Sequence, residues 1–227
     1  MKDDAEKKWE EAHLNMWQAD LPRIQLFFKR FGIEIEAVYH SLFSLDYDYI
    51  QPVIYLIGKI EKIMEVCDFL DTLAKNNHDD VDKIKIFQLV SHAEIAINTF
   101  SANTASMNKG DLVDAFFEPV KDKLQYTLQL SIDDTKKLSK INQQITSSRI
   151  LYKLRNEYAH QGNFIGKIFK LETDEKKVSN LFSFDWGIPK AQPIEVCGLT
   201  RLTYAQFLNI YFLTFQWHFE DYIKKHS

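Results

Sequence analysis

Cysteine is almost absent from this chain, which contains only Cys67 and Cys197. The two residues lie far apart and neither belongs to a C-x-x-C pair, so the spacing indicates neither a zinc site nor a redox motif. Two isolated thiols are typical of buried cysteines in a reducing compartment. Met1 is followed by charged residues rather than by an apolar leader segment. We therefore expect a cytoplasmic protein.

Long apolar runs and an excess of positive charge are also missing. No apolar stretch reaches the about 20 residues that a membrane-spanning helix needs, so we expect no association with a membrane. The chain has 28 Lys and Arg against 32 Asp and Glu, a formal net charge of −4. Without a global positive field, nucleic acid is bound only by a local basic patch or by a groove shared between subunits. This argues against a general nucleic-acid coat.

Most short motifs of common enzyme classes are absent as well. The sequence has no internal repeat, no G-x-x-x-x-G-K-[ST] phosphate loop, no G-x-G-x-x-G, no G-x-S-x-G and no H-E-x-x-H. These absences remove the P-loop enzymes, the dinucleotide-binding enzymes, the serine hydrolases of that type and the zinc proteases. Any catalytic activity must therefore depend on a different set of residues.

One acidic cluster, NNHDDVD at residues 76–82, permits a metal interpretation. Asp79, Asp80 and Asp82 could form a carboxylate site, and His78-Asp79 has the form of a metal phosphohydrolase doublet. Such hydrolases need further His and Asp ligands, and no second set is spaced to join this one. We interpret the acidic residues as the cap of the following helix. We expect no metal ion and no cofactor.

The hydrophobic spacing is helical over most of the chain. The chain has 227 residues, of which 45% are hydrophobic, and this is enough apolar surface for a core. Three- and four-residue spacing predicts helices over residues 5–18, 20–44 with a kink at Gly32, 52–77 beginning at Pro52, 81–100, 111–117, 120–130 and 135–161. Residues 126–132 alternate, so a short strand stays open there. The run 81–100 is apolar nearly all round, which is typical of the central helix of a bundle.

Two polar residues, His92 and Glu94, lie inside this central run. We interpret them as a hydrogen-bonded core histidine and a boundary carboxylate rather than as catalytic groups.

After Gly162 the hydrophobic period changes to two. Residues 167–172 and 178–184 flank a polar turn, which predicts an antiparallel hairpin, and residues 194–199 supply a candidate third strand. Thr203 and Gln206 form a capping box for a final aromatic helix that ends at Lys224-Lys225. We therefore predict a mainly α fold, a helical bundle with a small appended antiparallel β-hairpin and a C-terminal helix.

The segment QQITSSRILYKLRNEYAHQGN at residues 143–163 has the most specific surface in the chain. One side is an ordinary core stripe, formed by Ile150, Leu151, Leu154 and Tyr158. At roughly 100° per residue, the opposite side carries Arg149, Tyr152, Asn156, Ala159 and His160, with Arg155 at its edge. A solvated helix face usually carries Lys and Glu, so this composition is typical of a surface that meets a ligand or a partner.

Arg155-Asn156 and His160 form an R-N-x-x-x-H pattern near the helix end. The pattern resembles the R-x(4–6)-H signature of the HEPN superfamily, small helical domains of RNA-cleaving toxins, phage-defence effectors and nucleotide-binding proteins. The apolar run 87–100 also resembles the packing helix of such domains. The resemblance covers roughly residues 50–165. It implies N-terminal helices at 1–50, a HEPN-like helical core at 51–165, and a hairpin plus C-terminal helix at 166–227 in the same globular unit.

The resemblance implies a metal-independent endoribonuclease of the toxin or antiviral-defence type, in which a ribose 2′-OH attacks the adjacent phosphodiester. His160 would transfer protons, Arg155 would stabilise the phosphorane charge, and Asn156 would orient the ring or the phosphate. Arg149 and Tyr152 are the candidate RNA-binding residues. One histidine cannot serve both proton transfers, and active family members place two motifs across a dimer. We therefore expect a homodimer, with an antitoxin or regulatory protein as a further candidate partner.

Two alternatives stay open. A non-catalytic HEPN-like helical module would keep the shape of the motif and bind RNA, a nucleotide or a protein partner, and the acidic charge balance and scarcity of Arg favour it. In the second alternative, Arg155, Glu157 and His160 are only a salt-bridged C-terminal turn of the helix.

Overall fold

The computed structural model describes residues 3–74, 78–102, 104–131, 146–161, 165–166, 168–169, 180–186 and 194–227, with the backbone alone for 74, 78–80, 125–131, 161, 165–166, 180–186 and 194–199. The described chain is mainly α-helical, as the spacing of its hydrophobic residues predicts. The helices are α1 Asp4–Ala19, α2 Leu21–Lys29, α3 Glu36–Leu42, α4 Tyr47–Ala74, α5 His78–Phe100, α6 Lys109–Phe117, α7 Lys121–Thr127, α8 Ser147–Gln161 and α9 Tyr204–His226, with a 3₁₀ turn at Glu118–Val120.

The long helix predicted over residues 20–44 is two helices, α2 and α3. Gly32 adopts φ 73°, a conformation that glycine reaches without a steric penalty. The N–H of Gly32 bonds to the carbonyl of Lys29, and the N–H of Ile33 bonds to the carbonyl of Phe28. This pair of bonds closes a helix at a left-handed residue. The predicted kink at Gly32 was therefore wrong, because the glycine ends α2.

Helix α4 begins earlier than predicted. It starts at Tyr47, and the carbonyl of Asp46 accepts hydrogen bonds from the N–H groups of Tyr49 and Ile50. Pro52 therefore lies inside the helix rather than at its start. Leu73, expected in the core stripe of this helix, is 57% exposed.

Helix α5 also begins earlier, at His78, so the region 78–82 is helical rather than a loop. Asp79 and Asp80 fall in its first turn, where negative charge complements the helix dipole. The side chains of residues 78–80 lie outside the described part of the chain. The metal sites considered for His78, Asp79 and Asp80 therefore lie outside it as well.

The core is organised around α5, which packs against α4, α6, α8 and α9. Helix α9 supplies five completely buried rings to it: Phe207, Tyr211, Phe212, Phe215 and Phe219. Phe100 of α5 meets Phe215 with ring centroids 5.3 Å apart. The C-terminal helix is thus part of the central core.

His92 is completely buried and joins three helices. Its Nε2 lies 3.1 Å from the carbonyl oxygen of Leu56 on α4 and therefore donates to it. Nδ1 is then an acceptor and receives a hydrogen bond from the hydroxyl of Tyr211 on α9 at 2.5 Å. The interpretation of His92 as a hydrogen-bonded core residue is confirmed.

A small antiparallel sheet has the order β1-β4-β3-β2, with β1 Leu128–Ser131, β2 Ile165–Gly166, β3 Asn180–Trp186 and β4 Ile194–Thr200. Leu128 pairs with Thr200, and Phe182 pairs with Gly198. The ambiguity at residues 126–132 is resolved, since α7 ends at Thr127 and β1 follows. The hairpin predicted from 167–172 and 178–184 lies mostly outside the described residues. Of its first strand, Ile168 and Phe169 are described, and they form no strand but are buried.

Among the described residues, no helix has both the length and the apolar character needed to cross a bilayer.

Candidate functional site around Arg155

Helix α8 begins at Ser147 rather than near residue 135, because Thr146 caps it. The hydroxyl of Thr146 accepts a hydrogen bond from the N–H of Arg149, the bond by which an N-cap residue starts a helix. Residues 132–145 lie outside the described part of the chain, and so does Gly162, which was expected to close the helix. The predicted core stripe is confirmed for Ile150, Leu151 and Leu154, which are buried between α8 and its neighbours α5 and α6.

Arg155 is held by a hydrogen bond from each of its three nitrogens. Nε donates to the hydroxyl of Ser91 at 3.2 Å, Nη1 donates to Oδ1 of Asn156 at 2.8 Å, and Nη2 donates to Oε2 of Glu94 at 3.2 Å. The guanidinium also lies 5.7 Å from the ring centroid of Phe87. The side chain is 14% exposed. Its orientation is therefore fixed by α5 while part of it still faces solvent.

Glu94, which the sequence suggests is a boundary carboxylate, is buried and pairs with Arg155. It is 7% exposed, and one carboxylate oxygen pairs with Arg155. The other oxygen, Oε1, is buried and has no hydrogen-bond partner among the described residues. Burial raises the pKa of Glu94, and the nearby charges of Arg155 and Lys109 oppose that rise. A lone carboxylate in an otherwise apolar helix run was the available signal, since a buried charge requires a partner.

The other two residues of the motif differ in exposure. Asn156 is half-buried and its side-chain oxygen is engaged by Arg155. His160 is exposed in the last turn of α8, next to exposed Ala159. Near the C-terminal end of the helix, Asn156 therefore lies about one turn before the exposed His160, and the fixed Arg155 lies about 1.4 turns before it.

Arg149 and Tyr152 lie elsewhere, packed on α6. Nη2 of Arg149 is 2.6 Å from Oδ1 of Asp111 and 2.7 Å from Oδ2 of Asp114. Its hydrogen bond lowers the pKa of the Asp111 carboxyl. A Cβ on Gly110 would lie 2.0 Å from Nη1 of Arg149 and 3.2 Å from Cδ1 of Tyr152, so the glycine makes room for both side chains. The predicted open surface is thus partly covered by α6.

The ion pairs differ from those of the alternative in which Arg155, Glu157 and His160 form a salt-bridged turn. Glu157 is buried and pairs with Lys153 at 2.6 Å, whereas Arg155 pairs with Glu94 on another helix. Arg155, Glu157 and His160 therefore do not form one cluster.

Within the described side chains, no group of three or more His, Cys, Asp or Glu residues is placed to hold a metal ion.

Comparison of this chain with models of protein families, with curated proteins and with solved structures finds no match.

Proposed function

We propose that this chain is a metal-independent endoribonuclease of the HEPN type, related to toxins and antiviral-defence proteins, whose site is completed by two copies across a dimer. In this proposal residues 51–165 are a HEPN-like helical bundle carrying an appended hairpin. The observation that supports it best is the guanidinium of Arg155, fixed by Ser91 and Glu94, near the same helix end as the exposed His160.

The reaction needs three groups. A base takes the proton of a ribose 2′-OH as its oxygen attacks the phosphorus, and an acid protonates the departing 5′ oxygen. A cation stabilises the charge on the phosphorane between these steps. Imidazole exchanges protons near neutral pH, so His160 of one copy serves as base and His160 of the second copy serves as acid. The products are a 2′,3′-cyclic phosphate and a 5′-hydroxyl.

Arg155 has the capacity to bind phosphate without losing its internal bonds. A guanidinium carries five N–H donors, and the three bonds to Ser91, Asn156 and Glu94 use three of them. The remaining two have no hydrogen-bond partner among the described residues, and α5 sets in advance the direction in which they would meet phosphate oxygens. Glu94 is then a positioning residue that acts through Arg155.

The composite site requires close approach of two α8 helices. Ala159 and His160 are exposed side by side, and a small residue permits close packing of helices at this point. Arg149 and Tyr152 pack against α6. They contribute to RNA binding only if the Arg149 guanidinium releases the carboxylate of Asp111 or Asp114 and binds a phosphate instead.

One observation favours the non-catalytic module as a second candidate. Both arginines of α8 are paired with carboxylates of the same chain, Arg149 with Asp111 and Asp114, and Arg155 with Glu94. These pairs weaken the positive potential that RNA would meet. A helical module that binds a protein partner needs no such potential.

The deciding experiment is cleavage of labelled RNA by the purified chain in EDTA. The wild type is expected to leave 2′,3′-cyclic phosphate ends. His160→Ala should reduce the rate on the order of 10²-fold or more, since it removes a proton carrier. Arg155→Ala should do the same, and Arg155→Lys should restore little, because an ammonium cannot reproduce the planar fork.

His40→Ala is the matched control, because His40 is also an exposed helical histidine, on α3. It should cleave like the wild type. Equal rates for His160→Ala and the wild type, or the absence of cyclic phosphate ends, would contradict the proposal and favour the non-catalytic module.

A further inference from the structure

A cleft of ≈ 350 Å³ opens between the end of α5, the 3₁₀ turn and the second half of α9. Ile97 and Phe100 form its α5 wall, Pro119 lines it from the turn, and Trp217 lines it from α9. Small-molecule sites have volumes of about 300–1,000 Å³ and mostly apolar walls with a few polar groups. None of the residues of the Arg155 site lines this cleft.

Trp217 gives the cleft a large aromatic surface. Its side chain is 50% exposed, although tryptophan is usually highly buried. The indole meets the ring of His218 edge-on, with centroids 5.0 Å apart and an interplanar angle of 89°. A half-exposed indole beside a cleft favours a flat ring as the ligand.

His218 supplies a hydrogen-bond acceptor of defined orientation. Its ring is buried and stacked between Phe100 and Phe116, at centroid distances of 6.4 and 5.5 Å. Nε2 donates to the carbonyl oxygen of Phe116 at 2.8 Å, so Nδ1 is an acceptor. Nδ1 has no hydrogen bond to any described residue. Burial lowers the pKa of His218, and the hydrogen bond to the Phe116 carbonyl and the charge of Asp221 oppose this shift.

Two carboxylates lie at the mouth of the cleft. Glu118 pairs with Lys121 through Oε1, and Asp221 pairs with Lys225 through Oδ2, each at 2.5 Å. Each lysine thus engages a single carboxylate oxygen. Of the four residues, Glu118, Asp221 and Lys225 line the cleft. The two lysines balance the two carboxylates in charge, but Oδ1 of Asp221 has no hydrogen bond to a described residue and can accept one from the ammonium group of a ligand.

We propose that this cleft binds a small planar aromatic amine. The ring lies against Trp217 and the apolar wall of Ile97 and Phe100, an N–H group of the ligand donates to His218, and the ammonium group lies beside Asp221. The indole face and the carboxylate together stabilise the positive charge. This site is independent of the proposed ribonuclease activity.

Tryptamine is the probe for the experiment, measured by calorimetry and by ligand-observed NMR on the full chain. For a molecule of this size we expect a Kd on the order of 1 mM. Indole-3-propionate has a similar ring and the opposite charge, and should bind about tenfold more weakly. Asp221→Asn should weaken tryptamine about three- to tenfold without changing the binding of neutral indole.

Trp217→Ala should abolish saturable binding, while Trp9→Ala should leave it unchanged. Trp9 is the matched control because its side chain, on α1, is 52% exposed. Melting curves check that both variants stay folded. The proposal is overturned if tryptamine does not saturate up to about 10 mM, if Trp217→Ala binds it as the wild type does, or if indole-3-propionate binds equally well.

Discussion

Nη2 of Arg155 on α8 lies 3.2 Å from Oε2 of Glu94 on α5, and both side chains are largely buried. The pair joins the motif helix to the central helix. Among the described residues, the second carboxylate oxygen of Glu94 is buried and has no hydrogen-bond partner, and a buried polar atom left unpaired costs stability. A guanidinium fixed at the cost of an unsatisfied carboxylate oxygen is typical of a site retained for function.

The first prediction concerns the strength of this pair. In a double-mutant cycle of Glu94→Ala and Arg155→Ala, we expect a coupling energy of about 1–2 kcal/mol, because removing one partner leaves the other charge buried. Urea denaturation measures it. The same cycle on Lys62 and Glu65, an exposed pair on α4, should give about 0.5 kcal/mol or less. Equal coupling in the two cycles would show that Arg155 is not held by Glu94.

The second prediction separates position from charge at Glu94. Glu94→Gln keeps the shape of the side chain and an oxygen that accepts from Arg155, so the fold should be retained. If Glu94 positions Arg155, RNA cleavage should fall mainly in kcat rather than in KM, because the oriented guanidinium acts on the phosphorane. An unchanged kcat in a folded Glu94→Gln protein would assign Glu94 to stability alone.

The third prediction concerns association. The protein should be a two-fold dimer at high micromolar concentration by light scattering, with Ala159 of α8 in the interface. Ala159→Arg should yield a monomer without RNA cleavage, since a long charged side chain prevents close approach of the helices. Ala12→Arg places the same change on an exposed alanine of α1 and should remain dimeric. A wild-type monomer would remove the composite site.

The fourth prediction concerns pH and His92. Burial lowers the pKa of His92 from 6.5 to about 4, opposed by its bond to Leu56 and assisted by Lys59. As the pH falls, the unfolded chain therefore takes up this proton before the folded chain does. The stability linked to the neutral ring is fully present above about pH 6.5 and is lost toward pH 4, about 3 kcal/mol in total.

NMR titration of the histidine rings checks this directly, because the His92 signal should not shift above about pH 5. Urea denaturation at several pH values should show a shallower acid loss for His92→Gln than for the wild type. His218, whose pKa burial also lowers, acts in the same direction and contributes to the loss that remains. A His92 ring that titrates near pH 6.5 would show that the imidazole is not enclosed as described.

The fifth prediction compares two glycines. Gly110→Ala should destabilise the fold by about 1–2 kcal/mol, because the new Cβ would displace Arg149 from its carboxylates. Gly58→Ala, in α4 where the added carbon meets no described atom within 4 Å apart from its chain neighbours and the backbone of its own helix, should stabilise it by about 0.5–1 kcal/mol. Urea denaturation of the two variants measures both. If Gly110→Ala instead stabilises the fold, Arg149 moves aside without a loss in the free energy of unfolding.

The helices could be predicted because their signals are local. The apolar spacing of α5 and α8 and the capping box of Thr203 and Gln206 each lie within a few residues. The helix end at Gly32 was missed because a glycine in a helical pattern is compatible with a kink or with a left-handed end, and only the backbone decides between them.

The partners of the motif could not be predicted from spacing. Arg155 and Glu94 are 61 positions apart, and Arg149 and Asp111 are 38 apart. Which charged groups meet depends on how α5, α6 and α8 pack, and a single sequence does not specify that packing. The exposed position of His160 follows from its place in the last turn of the helix, so this part of the site could be predicted from the nearby sequence.

The hydrophobic core is complete only after helix α9 has packed into the bundle. Tyr211 bonds to His92, 119 positions earlier, and Asn209 bonds to the carbonyl of Phe31, 178 positions earlier. The rings of α9 occupy the middle of the bundle, so the preceding helices have no complete hydrophobic interior until this segment joins them. Long loops must close before these contacts form, which slows the acquisition of native structure. During synthesis, we therefore expect the polypeptide to expose apolar surface to chaperones or to self-association until α9 has packed.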